Sequence, residues 1–182
     1  MALGATIHTF EVELSDVDRG VYQSLNLRVA RHPSESPDYL VARVLAYCLE
    51  YTEGIAFSKG LSEPDEPAVL VRDLTGQLQA WIEVGLPATE RLHRASKAAP
   101  RVAVYAHKDP AQWARGIADA KIHRAEQLAV YAFDRAWMEQ VVAGLERRVQ
   151  WSLARSDSEI YLTAGDEVLQ TVLQSPLKGL PD

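Results

Sequence analysis

The sequence predicts a mixed α/β fold (α+β) in a single domain, residues 1–182, with a core over about 5–165. A chain of 182 residues suffices for one packed core, and 47% hydrophobic with 24% charged residues is typical of a globular protein. Alternating apolar and polar residues near both ends indicate β-strands. Between about 79 and 145, short apolar runs alternate with helical patterns, which favours parallel strands joined by crossover helices.

The N-terminal quarter predicts two strands and a long helix. The strands run over about 5–14 and 21–30, where apolar residues alternate with polar ones, and a run of Asp, Arg and Gly between them indicates a turn. The helix is predicted over about 35–51, because apolar residues recur there at helical spacing. Ser34 or Ser36 can cap its N-terminus.

The centre of the chain predicts a β-hairpin that carries an acidic residue. Two apolar runs, over about 68–73 and 78–85, flank a Thr-Gly turn signal. Folding the chain about this turn places Glu83 opposite Ala68, about three residues from Asp65. At about 3.3 Å per strand residue, the two carboxylates would be close enough to share one divalent cation.

The second half of the chain predicts further helices and strands in alternation. Asp134 is expected to cap the last of these helices, and a tail over about 170–182 is expected to fray. The predicted segments are helices over about 88–98, 110–120 and 135–145, short strands over about 101–106 and 128–133, and a hairpin of strands over about 149–155 and 159–163.

Composition and motifs exclude several classes of function. No apolar stretch approaches the ~18 residues of a membrane span, and the N-terminus lacks the features of a secretory signal, so we expect a cytoplasmic protein. The single cysteine, Cys48, excludes an internal disulfide and a cysteine zinc cage, and we expect it to be buried. The motifs G-x-x-x-x-G-K-[ST], G-x-G-x-x-G and G-x-S-x-G are absent, which argues against a nucleotide-binding protein or a serine hydrolase.

Charge is distributed unevenly along the chain. The whole chain has a net charge of −6, yet residues 88–124 contain 8 basic and 3 acidic residues. This basic stretch can attract the phosphate backbone of a nucleic acid. Two solvated helix faces would also explain it, and they are the simpler interpretation. A protein that coats DNA without specificity is usually basic overall. The basic residues are Arg91, Arg94, Lys97, Arg101, Lys108, Arg115, Lys121 and Arg124.

Several strings in the sequence resemble the YaeQ family of small bacterial proteins, and their spacing matches along the whole chain. They are Met1-Ala2-Leu3 with Ala5-Thr6-Ile7, Arg31-His32-Pro33-Ser34-Glu35, Gly60-Leu61 with Asp65-Glu66-Pro67, and Trp81-Ile82-Glu83-Val84-Gly85-Leu86-Pro87. Members of this family are described as variants of the PD-(D/E)XK nuclease fold. The resemblance therefore implies a restriction-endonuclease-like core, with a mixed central sheet flanked by helices and β-hairpins near both ends of the chain.

The resemblance also assigns roles to individual residues. Asp65 corresponds to the first acid of the motif and Glu83 to the second, and together they would hold Mg²⁺ or Mn²⁺. The lysine of the motif is expected two positions after the second acid, where this chain has Gly85. Arg94 and Lys97, on the helix that follows, are the candidates to replace it, although an arginine cannot act as a base near neutral pH.

Other residues are candidates for supporting roles. Glu35 would contribute an outer-shell contact to the metal, and Glu66 lies beside the first acid of the motif. His32 either fixes the loop before the long helix or contacts the substrate. Arg43 and Arg91 are candidates for contacts with the substrate or with the second acid.

Two functions are compatible with these features. The first is a Mg²⁺- or Mn²⁺-dependent nuclease or phosphodiesterase, which the basic stretch would supply with nucleic acid. The second is a nuclease fold that has lost catalysis and serves as a binding or regulatory module. In that case Glu83 would pair with Arg43, Arg91 or Arg94 and bind no cation, because a buried glutamate needs a positive partner.

Overall fold

The computed structural model describes residues 4–59 and 65–178 and confirms the α+β fold class. The described residues form four α-helices and two mixed five-stranded sheets. The chain divides into two compact units, residues 1–41 with 134–173 and residues 42–133 with 174–182. Some residues of the family strings lie outside the described residues, namely Gly60-Leu61 and Met1–Leu3. The same is true of the last four residues of the predicted tail. The assignment of the chain to a single domain stays a prediction.

The sheet of the first unit joins the two ends of the chain. The elements of this unit are β1 (Thr6–Asp16), β2 (Val21–Arg31), α4 (Arg135–Ala143), β8 (Arg148–Ser156), β9 (Glu159–Ala164) and β10 (Glu167–Val172). The strand order is β10-β9-β8-β1-β2, and β1 pairs antiparallel with β2 and parallel with β8. Phe10 and Val12 on β1 lie beside Val149 and Trp151 on β8, and all four are buried.

Strand β10 was not predicted from the sequence, and it overlaps the start of the tail that is expected to fray from about residue 170. The chain turns at Gly165, which has a φ of +60°, and β10 then pairs antiparallel with β9 from Glu167 to Val172. Leu173 is buried after the strand ends. β10 is the edge strand of its sheet, so the pairing with β9 satisfies the backbone groups on one of its sides. The fraying of the tail stays a prediction.

The sheet of the second unit contains the hairpin and the crossovers. The elements of this unit are β3 (Ile55–Phe57), β4 (Val69–Arg72), β5 (Leu78–Val84), α2 (Thr89–Ala98), β6 (Arg101–Ala106), α3 (Ala111–Ala118) and β7 (Ala129–Ala132). The strand order is β3-β4-β5-β6-β7, with β4 and β5 antiparallel and β5, β6 and β7 parallel. The predicted parallel pairing through helices is thus confirmed for β5, β6 and β7.

Helix α1 (Pro37–Leu49) contains the boundary between the two units. Ser36 accepts a hydrogen bond from the Tyr39 backbone N–H at 3.1 Å and so caps the helix, rather than Ser34. Cys48 is buried, as predicted. No helix in the described part of the chain is long and apolar enough to cross a membrane.

Local sequence signals account for the other helices as well. Leu92 and Ala95 of α2 are fully buried, as their spacing predicts. Asp134 caps α4 by accepting a hydrogen bond from the Trp137 backbone N–H at 2.9 Å. Strand β3 was not predicted because three residues are too short to show a period.

Candidate functional site

The register of the central hairpin agrees with the prediction from sequence. Val69 lies opposite Ile82 in the β4–β5 pair, and continuing this register by one residue places Ala68 opposite Glu83. β5 is the middle strand of its sheet, and Glu83 pairs with Val104 of β6 on the other side. Glu83 is therefore buried on a central strand, where a carboxylate needs partners.

Two donors bind the Glu83 carboxylate. The indole Nε1 of Trp81 and the guanidinium Nε of Arg91 each donate to Oε1 of Glu83 at 2.6 Å. The side chain of Glu83 is 7% exposed and that of Arg91 is 24% exposed, so little solvent screens this ion pair. The Arg91 guanidinium also lies 5.6 Å from the centre of the Trp81 ring. Glu83 thus has the arginine partner that the second hypothesis requires.

Arg91 also connects Glu83 to the segment that contains Asp65. Its Nη2 donates to the backbone carbonyl of Glu66 at 2.6 Å, while its Nε holds Glu83. Arg91 lies in the first turn of α2, the helix that follows the hairpin. One guanidinium therefore links the end of β5, the start of α2 and the residue after Asp65.

Asp65 has a very different environment from Glu83. Its side chain is 88% exposed, and Oδ1 lies 3.7 Å from Nη1 of Arg94, whose side chain is 66% exposed. An ion pair this exposed adds little to stability. Lys97 is exposed in the last turn of the same helix. Arg94 and Lys97, three residues apart, lie on one face of α2.

The other arginine proposed as a partner of Glu83 has a different contact. Arg43 is buried on α1, and its guanidinium lies 5.4 Å from the centre of the Phe57 ring. This distance is within the range of a cation–π interaction.

The arrangement of these side chains tests whether the acidic pair fits a divalent cation. Oε1 of Glu83 already accepts two N–H groups, and one of them belongs to a permanently charged guanidinium. A metal ion on this oxygen would be repelled by Arg91 at close range. A cation on Oε1 would therefore have to displace Arg91 from Glu83, and a cation shared by Asp65 and Glu83 stays a prediction.

The position expected for the catalytic lysine has an unusual backbone conformation. Gly85 has a φ of +102°, and its N–H donates to the carbonyl of Tyr105 at 2.9 Å. A Cβ at this position would meet no atom within 4 Å, so space does not prevent a side chain. The backbone conformation does disfavour one, because L-residues rarely adopt such a φ.

Glu35 and His32 bind each other in the loop before α1. Oε2 of Glu35 accepts a hydrogen bond from the His32 backbone N–H at 3.2 Å, and the Glu35 N–H donates to the His32 carbonyl at 2.9 Å. Nδ1 of His32 accepts a hydrogen bond from the Ser34 backbone N–H at 3.1 Å. His32 thus takes part in the hydrogen bonding of the loop. Its contact with a substrate and an outer-shell role for Glu35 stay predictions.

The basic stretch 88–124 contains two kinds of residue. Arg91 binds Glu83, and Arg101 binds Glu50 through two hydrogen bonds of 2.9 and 2.8 Å, so both carry a structural ion pair. The remaining basic side chains of the stretch are exposed. They are Arg94, Lys97, Lys108, Arg115, Lys121 and Arg124.

The ion pair of Glu50 belongs to a buried network that sequence reasoning missed. The hydroxyl of Tyr105 donates to Glu50 at 2.7 Å, and Tyr105 is fully buried. Burial and the neighbouring Glu50 carboxylate raise the pKa of Tyr105 well above its usual value. The signal in the sequence is Glu50, a charged residue that directly follows the apolar face of α1 and needs a partner where it is buried.

Comparison with known proteins places these features in a family. A model of the family described as YaeQ protein matches residues 1–173. The "Uncharacterized protein YaeQ" of Escherichia coli strain K12 is 31% identical over 182 residues, which cover 97% of this chain and 99% of that protein. The protein of the same description from Salmonella typhi has the same identity and coverage.

Two solved structures have the same fold. The crystal structure of the YaeQ protein from Xanthomonas axonopodis pv. citri is 30% identical, covers 94% of this chain and 97% of its own, and has a TM-score of 0.88. That of the YaeQ protein from Pseudomonas syringae is 31% identical, covers 94% and 95%, and has a TM-score of 0.85. The chain therefore belongs to the YaeQ family.

Proposed function

We propose that this chain is a catalytically degenerate variant of the PD-(D/E)XK nuclease fold that binds nucleic acid in the cytoplasm. In this proposal Arg91 takes the place that a divalent cation would have beside Glu83. The 2.6 Å hydrogen bond from Arg91 Nε to Glu83 Oε1 carries the proposal, because it neutralises the second acid of the motif without a metal.

The contact from Arg91 to the Glu66 carbonyl supports a structural role for this ion pair. A guanidinium that binds a carboxylate and a backbone carbonyl fixes the loop after Asp65 against the end of β5. The glycine at position 85 agrees with this reading, since the strand then has no lysine that activates water. Glu83 would thus maintain the fold of the site through Arg91.

The exposed face of α2 is the candidate contact for phosphate. Arg94 pairs with the exposed carboxylate of Asp65 at 3.7 Å, a contact that a phosphate group can replace. Lys97 is exposed one turn further on. A guanidinium and an ammonium on one helix face suit the phosphates of a nucleic acid backbone, with an affinity that falls as salt rises.

A metal-dependent phosphodiesterase is the second candidate function. The exposure of Asp65 favours it, because this carboxylate is accessible to an ion from solvent. Asp65 and Glu83 would hold Mg²⁺ or Mn²⁺, with Arg94 or Lys97 beside the phosphate. Arg91 would have to release Glu83 first, which is the reason we rank this function second.

Fluorescence anisotropy with a fluorescein-labelled DNA duplex and a matching single-stranded RNA tests the binding function. We expect salt-sensitive binding that weakens in Arg94→Gln/Lys97→Gln, with the slope of log K against log salt falling by about one for each lost phosphate contact. The matched control is Arg28→Gln/Lys178→Gln, which removes the same charge from exposed residues outside the basic stretch. Equal weakening in the control, or no binding by the wild type, would overturn the proposal.

The same labelled strands, incubated with Mg²⁺ or Mn²⁺ and run on a gel, separate the two functions. We expect them to stay intact. Cleavage that is lost in both Asp65→Asn and Glu83→Gln would establish the second function instead.

A further inference from the structure

The first unit contains a cavity of about 670 Å³ whose lining includes none of the candidate site residues. It is bounded by the C-terminal end of α4, the start of β8 and the turn between β9 and β10. Its lining includes Gly144 at the end of the helix, Arg148 at the start of the strand and Gly165 in the turn. This volume is in the range of about 300–1,000 Å³ that is typical of ligand sites.

The cavity lies where strand β8 extends beyond its neighbour β9. Pairing between the two strands starts at Trp151 and Ala164, and the chain then leaves β9 at the Gly165 turn. Residues Arg148–Gln150 of β8 therefore pair with β1 on one side and have no part of β9 on the other.

Strand geometry identifies which backbone groups point into this gap. The carbonyl of Arg147 accepts a hydrogen bond from Thr9 of β1 at 2.7 Å. Successive residues of a strand direct their backbone N–H and C=O groups to opposite sides. The backbone groups of Val149 therefore also point to β1, while those of Arg148 and Gln150 point away from it. No turn or loop residue in the described ranges 4–59 and 65–178 forms a backbone hydrogen bond with these two residues. The side-chain amide of Gln150 is already held by Glu11 at 2.9 Å.

The charges around the cavity favour a cationic occupant. Glu11, Glu146 and Glu167 line it, against the single basic residue Arg148. The C-terminal end of α4 adds the negative end of a helix dipole. Leu169, which is partly buried, provides an apolar surface for the stem of a long side chain.

We propose that this cavity binds a short extended segment of a partner protein that carries a lysine or arginine, added as a strand beside Arg148–Gln150. The backbone of the segment would pair with the outward N–H and C=O groups of Arg148 and Gln150, as in β-strand addition. At about 3.3 Å per residue, the free edge admits a segment of about three residues. Its basic side chain would be balanced by the three glutamates.

The probe is an end-capped, fluorescein-labelled pentapeptide of sequence Thr-Lys-Val-Lys-Thr. We expect it to bind at least about tenfold more tightly than the Thr-Glu-Val-Glu-Thr peptide, and about tenfold more tightly than a version with an N-methylated valine, which lacks one strand N–H. In amide hydrogen exchange followed by NMR, the Arg148 and Gln150 N–H groups should become protected when the lysine peptide is bound.

Two variants separate the charge from the strand edge. Glu146→Gln/Glu167→Gln should weaken binding about tenfold, while Glu53→Gln/Glu126→Gln, which removes the same charge from exposed residues of the second unit, should not change it. Gln150→Pro removes the outward N–H and should abolish binding. The proposal is wrong if the glutamate or N-methylated peptide binds as well as the lysine peptide, or if the two amides stay unprotected.

Discussion

Replacing Arg91 by methionine should destabilise the protein strongly. Methionine keeps much of the length of the side chain but removes the charge that neutralises Glu83, which is 7% exposed. Breaking a buried ion pair by removing one partner costs about 3–5 kcal/mol, and the 24% exposure of Arg91 places this pair at the lower end, about 3 kcal/mol. For a chain of this size the melting temperature should fall by roughly 6–12 °C.

Arg94→Met is the matched control for this experiment, because it removes the same type of side chain from the next turn of α2. Its ion pair with Asp65 is exposed and 3.7 Å long, so the loss should be at most about 1 kcal/mol. Urea denaturation followed by circular dichroism measures both variants.

A double-mutant cycle isolates the ion pair itself. Glu83→Gln should cost less than Arg91→Met, because Trp81 can still donate to the amide oxygen and water reaches part of Arg91. The double variant should be more stable than the sum of the two losses predicts, by about 1–3 kcal/mol. Additive losses, or an Arg91→Met variant no less stable than Arg94→Met, would refute the role given to Arg91.

Three further predictions test other parts of the structure. Gly85→Ala should lower the free energy of unfolding by about 1–3 kcal/mol despite the open space, because Gly85 has a φ of +102°. Gly116→Ala, within α3, should instead raise the free energy of unfolding by about 0.5–1 kcal/mol. Thermal denaturation of both variants measures this contrast. Asp134→Ala should cost about 1 kcal/mol in urea denaturation through loss of the α4 cap, and an unchanged midpoint would contradict that role. Burial raises the pKa of the Cys48 thiol from its usual 9.0 to about 12, so above pH 9 the unfolded state releases a proton that the folded state keeps and stability falls. Between pH 8 and 10 the wild type should therefore lose about 1 kcal/mol more than Cys48→Ala, and parallel losses would show that the thiol is not responsible.

Local patterns were sufficient to predict the hairpin register. The turn near Gly76 and the period of two along β5 place Glu83 opposite Ala68, and the structure agrees. The cap at Asp134 and the inward residues of α2 follow from equally local signals.

Pairings between distant segments could not be predicted from sequence. The parallel contact of β1 with β8 joins residues about 140 positions apart, and neither strand carries a local signal for its partner. The same holds for Glu83, since the sequence offered three arginines and only the position of α2 beside β5 selects Arg91. Glu50, which is buried, and Arg101 lie 51 positions apart, and their ion pair could not be predicted for the same reason.

The exposure of Asp65 is a further property that spacing alone did not give. The register brings its segment near Glu83, and Arg91 connects the two through the Glu66 carbonyl. The side chain of Asp65 is nevertheless directed to solvent and to Arg94. The hairpin register therefore predicts that the two segments are close, but it does not predict whether the two carboxylates share a ligand.

The central claim is that Arg91 satisfies Glu83 in place of a divalent cation. Calorimetric titration of the wild type and of Glu83→Gln with Mn²⁺ tests it most directly. We expect no binding by the wild type that is tighter than about 1 mM and no difference between the two proteins. Tighter binding by the wild type that disappears in Glu83→Gln would contradict the claim.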